Sequence, residues 1–200
     1  MKALKRIACS VLALAMVIGL TACAPKKFDK QKLINFLDDQ DFDDYDEPED
    51  FYDDFSGFMI GVEGSSYVCC DGKDAKNVYK TLINRFGDFK DYDIEETVAL
   101  AINDGGGYGY GCLFTFKDAK DAGKFFKKYG EMYADDGENG DEKSYSYYIK
   151  GDETNTAGRE LYCGIYIREN TVFVIRFLGV DSDFVDDLCE VYGVISPTEA

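Results

Sequence analysis

The chain is expected to fold as an α+β domain, an antiparallel sheet with helices packed on one face. Three observations point there. Short runs carry the two-residue period of strands, and longer runs carry the period of amphipathic helices. The two kinds of run follow one another along the chain from residue 58 onward. The tetrapeptide Lys73-Asp74-Ala75-Lys76 recurs as Lys117-Asp118-Ala119-Lys120, each time where an apolar strand pattern gives way to a helical one. Apolar residues make up 46% of the 200 residues and aromatics 15%, enough to exclude general disorder.

The first segment has the layout of an export signal. Lys2, Lys5 and Arg6 form a basic start, and Ile7 to Leu20 is uncharged and largely apolar. That run is shorter than the ~20 apolar residues needed to span a bilayer, and it suits a signal-peptide core. It ends in Leu20-Thr21-Ala22-Cys23. This box resembles that of bacterial lipoproteins: a branched apolar residue, two small residues, then cysteine. The resemblance covers residues 1–23 and implies removal of residues 1–22 as a signal peptide, with a diacylglyceryl group on the Cys23 thiol. It also implies a location on the outer face of the cytoplasmic membrane, with the membrane as a partner through that lipid. Each buried lipid CH₂ contributes about 0.8 kcal/mol of membrane affinity. Residues 23–27 then make a short lipidated tether.

Losing Lys2, Lys5 and Arg6 takes the net charge from −17 to −20. That charge excludes a nucleic-acid partner, whose phosphates demand basic patches. It also opposes lying flat on an anionic membrane, so the lipid must do the holding.

Residues 28–56 hold an N-terminal helix and an acidic-aromatic segment. Phe28 to Leu37 reads as the helix: Asp29 caps it, Phe28 and Leu33 make a staple, and Leu33, Ile34 and Leu37 form a stripe. Residues 38–54 carry eleven Asp or Glu and no base, interleaved with Phe42, Tyr45, Phe51 and Tyr52. Pro48 opens a helical turn ending near Phe55.

Residues 57–200 read as a single α+β domain. Phe58–Glu63 and Ser66–Cys70 read as a hairpin turning at Gly64-Ser65. Lys73 to Phe86 is a helix burying Ala75, Val78, Tyr79, Leu82, Ile83 and Phe86. Thr97–Asn103 and Tyr108–Phe116 form a hairpin around Asp104-Gly105-Gly106-Gly107. Asp118 to Tyr133 is a helix with Ala119, Ala122, Phe126, Tyr129 and Tyr133 inward, and Asp135–Glu142 is a polar loop. Strands follow at Tyr145–Lys150, Glu160–Arg168 and Thr171–Leu178, the last two joined by a Glu169-Asn170 turn. Asp181 to Tyr192 closes the chain as a helix through Phe184, Val185, Leu188 and Tyr192. Over residues 66–150 the succession is strand, helix, strand, strand, helix, strand, the ferredoxin-like order, extended by the C-terminal hairpin and helix.

No motif singles out a catalytic residue or a cofactor. The chain contains no histidine, which removes the Ser-His-Asp and Cys-His systems and the commonest zinc ligand. Paired carboxylates or a Ser–Lys pair would remain, and 39 acidic residues make carboxylate spacing uninformative. Asp39, Asp41 and Asp43 mimic the start of a calcium loop, but Asp44 stands where that loop has Gly and Asp50 where it has Glu. No metal ligand set is therefore assigned. The run from Gly105 to Gly111 lacks both the Lys-Ser/Thr ending and the strand-to-helix setting of a phosphate loop. Cys69, Cys70, Cys112, Cys163 and Cys189 sit within apolar patterns, as small buried hydrophobes. Their odd number leaves at least one without an intrachain partner, and a Cys112–Cys163 bridge is open.

The expected function is a membrane-anchored, non-catalytic binding or interaction module. Phe42, Tyr45, Tyr52 and the exposed Tyr108 and Tyr110 are the candidate contacts for a protein partner or small ligand. The alternatives are a carboxylate-dependent cell-envelope enzyme and a weak divalent-cation-binding protein.

Overall fold

The structure is a computed structural model that describes residues 27–52, 63–83, 92–132, 137–155 and 157–200. The signal segment, Cys23, residues 58–62 of the expected first strand, Phe55, Phe86 and Tyr133 lie outside the described residues.

Helix α1 (Lys30–Asp39) starts where expected, with the Asp29 carboxylate accepting from the Gln31 N–H at 3.0 Å. Phe28 and Leu33 are both buried in one core, as the staple requires. The chain reverses at Asp41, whose φ is +57°, and runs into strand β1 (Asp43–Tyr45). A helical turn over residues 48–52 begins at Pro48.

Strand β2 (Gly64–Asp71) passes straight through the expected turn. Gly64 and Ser65 pair with Asn103 and Ile102, so the hairpin expected there does not exist. The neighbouring strand extends far enough to pair them, and pairing outweighs their weak strand preference. Helix α2 (Gly72–Ile83) follows directly and buries Ala75, Val78, Tyr79, Leu82 and Ile83, the stripe read from spacing. Strands β3 (Ile94–Asn103) and β4 (Tyr108–Phe116) form the expected hairpin. The Asp104 carboxylate closes it by accepting from the N–H groups of Gly106 and Gly107 at 2.9 and 2.5 Å.

Helix α3 (Ala119–Gly130) is capped by Asp118 and buries Ala122, Phe125 and Tyr129. Phe125, not Phe126, occupies the core, while Ala119 is exposed and Phe126 only half-buried. Two adjacent phenylalanines left the phase of the stripe ambiguous by one residue. Strand β5 (Glu138–Asp141) lies where a polar loop was expected, paired to β6 (Ser146–Thr154). Strands β7 (Glu160–Arg168) and β8 (Thr171–Leu178) have their expected limits, with Glu169 at φ +50° in the turn. Helix α4 (Ser182–Glu190) follows its Asp181 cap.

Among the described residues eight strands form one sheet in the order β1-β2-β3-β4-β8-β7-β6-β5, antiparallel except for the β1–β2 pair. The class is therefore mixed α+β. The ferredoxin-like arrangement is not borne out in space, because strands β2 and β3 around the first helix pair directly and antiparallel. Two antiparallel meanders, β2-β3-β4 and β5-β6-β7-β8, instead join through the β4–β8 pair.

Helices cover both faces, not one. Helices α2 and α3 pack on Val68, Ala99, Cys112, Phe114, Ile165 and Val174. Helices α1 and α4 pack on the alternate residues Tyr67, Leu100, Leu113, Tyr166, Phe173 and Ile175. The central strands feed both cores, which is why β8 reads Val-Phe-Val-Ile without alternation. The acidic segment rounds the β2 edge of the sheet. Phe42 enters the α1–α4 core, whereas Phe51 enters the α2–α3 core with Tyr45 and Tyr52 packed against it.

Candidate functional site

Register places one end of every major strand together. Asp71 of β2 lies opposite Glu96, Ile94 opposite Phe116, Thr115 opposite Thr171, and Arg168 opposite Thr171. At this end a shallow groove of about 800 Å³ opens between the strand ends and the first turn of α2.

Its walls follow from local geometry. Gly72, at φ +54°, lets β2 turn into α2 without a linker, which brings Lys73 and Lys76 to the rim. The register of β3 shifts between Ile94 and Glu96, and Glu95 is left exposed on the rim. Lys117 follows β4, and its N–H donates to the Asp93 carbonyl at 3.0 Å, tying the β4 exit to the β3 entry.

The two copies of the repeated tetrapeptide therefore meet in one groove. Strands β2 and β4 are parallel to each other with β3 between them, so both strand-to-helix corners fall at the same end. The copies are out of phase. Lys73 and Asp74 lie inside the first turn of α2, whereas Asp118 is the cap of α3 and accepts from Asp121 N–H at 2.9 Å.

Lysines and carboxylates alternate around the groove. Lys76 Nζ lies 2.6 Å from Asp93 Oδ1, and this hydrogen bond, with the lysine charge behind it, holds the Asp93 carboxyl below the usual range. Lys30 Nζ lies 2.5 Å from Glu96 Oε1, which raises the lysine pKa. A depressed carboxyl is the reverse of what a general acid needs at neutral pH. Such an open surface of mixed charge suits contact with a polar or zwitterionic group better than proton transfer.

Thiol chemistry is disfavoured on the same physical ground. No disulfide joins Cys69, Cys70, Cys112, Cys163 and Cys189, so the open Cys112–Cys163 bridge is absent. Burial pushes the Cys70 and Cys189 thiols up to about 12, and raises those of Cys69 and Cys112 as well. Nucleophilic thiolates are lowered instead. Cys69 and Cys70 pack against opposite cores, as adjacent strand residues must.

The five aromatic candidates do not converge. Phe42 is buried and stacks on Phe184, with centroids 5.9 Å apart. Tyr45 and Tyr52 are half-buried against the other core, and burial pushes the Tyr52 hydroxyl up to about 12. Tyr110, expected to be exposed, is buried, and its hydroxyl lies 2.9 Å from that of Tyr129. Tyr108 and Tyr110 share one face of β4; α3 covers Tyr110 through Tyr129, whereas Tyr108, at the first position of the strand, stays 36% exposed. Tyr108 stands at the opposite end of the sheet from the groove.

Asp39, Asp41 and Asp43 fall respectively on the end of α1, a left-handed turn and the start of β1. Among the described residues no three acidic or cysteine side chains are grouped to hold a metal, and no helix is long and apolar enough to cross a membrane. The groove lysines were not foreseen as a site. The repeated tetrapeptide carried the signal, and its equivalence in space becomes visible only once β2 and β4 are known to be parallel. Neither a family model, nor a curated protein, nor a solved structure matches the chain.

Proposed function

We propose that the chain is an exported lipoprotein, cut before Cys23 and held by lipid at the outer face of the cytoplasmic membrane, with its α+β domain serving as a non-catalytic binding module. The observation that carries this reading is the run from Lys2 to Cys23: a basic start, an apolar core too short to span a bilayer, and the Leu20-Thr21-Ala22-Cys23 box. A binding role is favoured over catalysis by the absence of histidine, the lowered Asp93 carboxyl and the raised thiols.

The anchoring test is metabolic labelling with palmitate. The native chain takes up label and sediments with membranes, and Cys23→Ala loses both. Membrane retention unchanged in the variant would sink the reading. Crosslinking on intact cells tests the binding role, with a reproducible neighbour as the expected outcome. Recovery of none counts against it.

A further inference from the structure

From where the chain enters the fold, we infer that the groove end of the sheet is the surface held against lipid headgroups, and that Tyr108 is presented away from the bilayer. The inference rests on lipidation at Cys23.

Phe28 is the first buried residue of the described chain, and its place is fixed from several sides. Its N–H donates to the Thr171 hydroxyl at 3.0 Å, and its ring centroid lies 4.9 Å from that of Tyr192. The Arg168 guanidinium carbon sits 4.5 Å over the same ring. Arg168 and Thr171 flank the β7–β8 turn, which belongs to the groove end. Two residues on, Lys30 pairs with Glu96 on the groove wall. The tether therefore enters beside the groove.

Five peptide steps separate Cys23 from Phe28. A chain of that length spans at most about 18 Å. Strand β3 has ten residues, so the two ends of the sheet stand about 33 Å apart. The tether is too short for the domain to invert, standing on its Tyr108 end with the groove turned away from the bilayer, while Phe28 stays docked.

Charge permits the same approach. The groove sets Lys73, Lys76 and Lys117 against Asp71, Asp93, Glu95 and Glu96, close to balance. The described part of the acidic segment, residues 38–52, flanks the sheet edge through β1 and holds nine acids and no base, so that flank is repelled by anionic headgroups. Of these two surfaces, the one beside the tether is the one a lipid surface tolerates.

The chain contains no tryptophan, so a single introduced one is a unique reporter. Lipidated full-length Lys117→Trp, Lys73→Trp and Tyr108→Trp are reconstituted separately on phosphatidylcholine–phosphatidylglycerol vesicles carrying a headgroup nitroxide lipid. Both lysine sites are exposed, so the substitutions leave the core alone, and each checks the other. The expected result is loss of roughly half the emission or more at positions 117 and 73, within tether reach, with Tyr108→Trp unchanged. Bound protein with equal quenching at the two ends, or more at Tyr108, overturns the orientation alone. Protein that fails to bind vesicles overturns the anchoring, and the orientation with it.

Discussion

Phe28 closes the fold from its N-terminal side, between Arg168, Thr171, Phe173 and Tyr192. Phe28→Ala should cost about 3–5 kcal/mol, as for other buried phenylalanines. Urea denaturation measures it, and a loss below about 1 kcal/mol would mean the N-terminal segment is not part of the core. Arg168 beneath it is buried and donates to the Tyr192 carbonyl at 2.8 Å, and burial lowers its pKa. The cysteines allow a second prediction. Cys70 and Cys189 rise from 9.0 to about 12 on folding. Below about pH 9 both states hold these protons and the stability is fully present; above it the unfolded chain releases protons the fold retains. The urea midpoint should therefore fall as pH climbs through 9 toward 12, and a flat midpoint would contradict the burial of these thiols. Denaturing thiol counting should find no disulfide among Cys69, Cys70, Cys112, Cys163 and Cys189.

At the scale of the element, the repeated tetrapeptide separates capping from mere proximity to a helix start. Asp118→Ala removes a cap and should cost about 1 kcal/mol. Asp74→Ala removes only a first-turn charge, and a cost of about 0.5 kcal/mol is expected from the helix dipole. Paired urea curves decide, and equal costs would contradict the different phases of the two copies. Elements with both a clean period and a marked turn were legible in the sequence. The β7–β8 hairpin, and α2 as far as Ile83, came out as read because Glu169-Asn170 and the Ala75–Ile83 spacing admit one solution. The Gly64-Ser65 turn failed because pairing to β3 is a long-range fact that no local pattern contains. Strand β5 was hidden for a related reason: Glu-Asn-Gly-Asp has no apolar face, and only its pairing to β6 makes it a strand.

For the whole molecule, the second helical layer was the main surprise, and its signal was present. Runs such as Val172–Ile175 carry apolar residues at every position, which is the mark of a sheet buried on both faces. The expectation of helices on one face left this pattern unused. The groove was legible only as a repeated motif, since its assembly depends on strand order. Global charge gives the prediction that belongs here. At −17 on the whole chain, and −20 on the proposed mature one, self-repulsion opposes the compact state, and the Debye length shrinks from about 30 Å at 0.01 M to about 10 Å at 0.1 M salt. The melting temperature should rise by a few degrees across that range, read by calorimetry. A fall with salt would mean that attractive pairs such as Lys30–Glu96 outweigh the repulsion.

The two rims of the sheet have a consequence for crowding. An open sheet exposes unpaired backbone along its outermost strands, which invites a second copy to add on edge to edge. Here the outermost strands are among the shortest and most acidic segments of the chain: β1 is Asp43-Asp44-Tyr45 and β5 is Glu138-Asn139-Gly140-Asp141. Copies concentrated in the plane of a bilayer would meet rim to rim, like charge against like charge. On the proposed membrane anchor, such rims would favour separate neighbours over edge-to-edge ribbons.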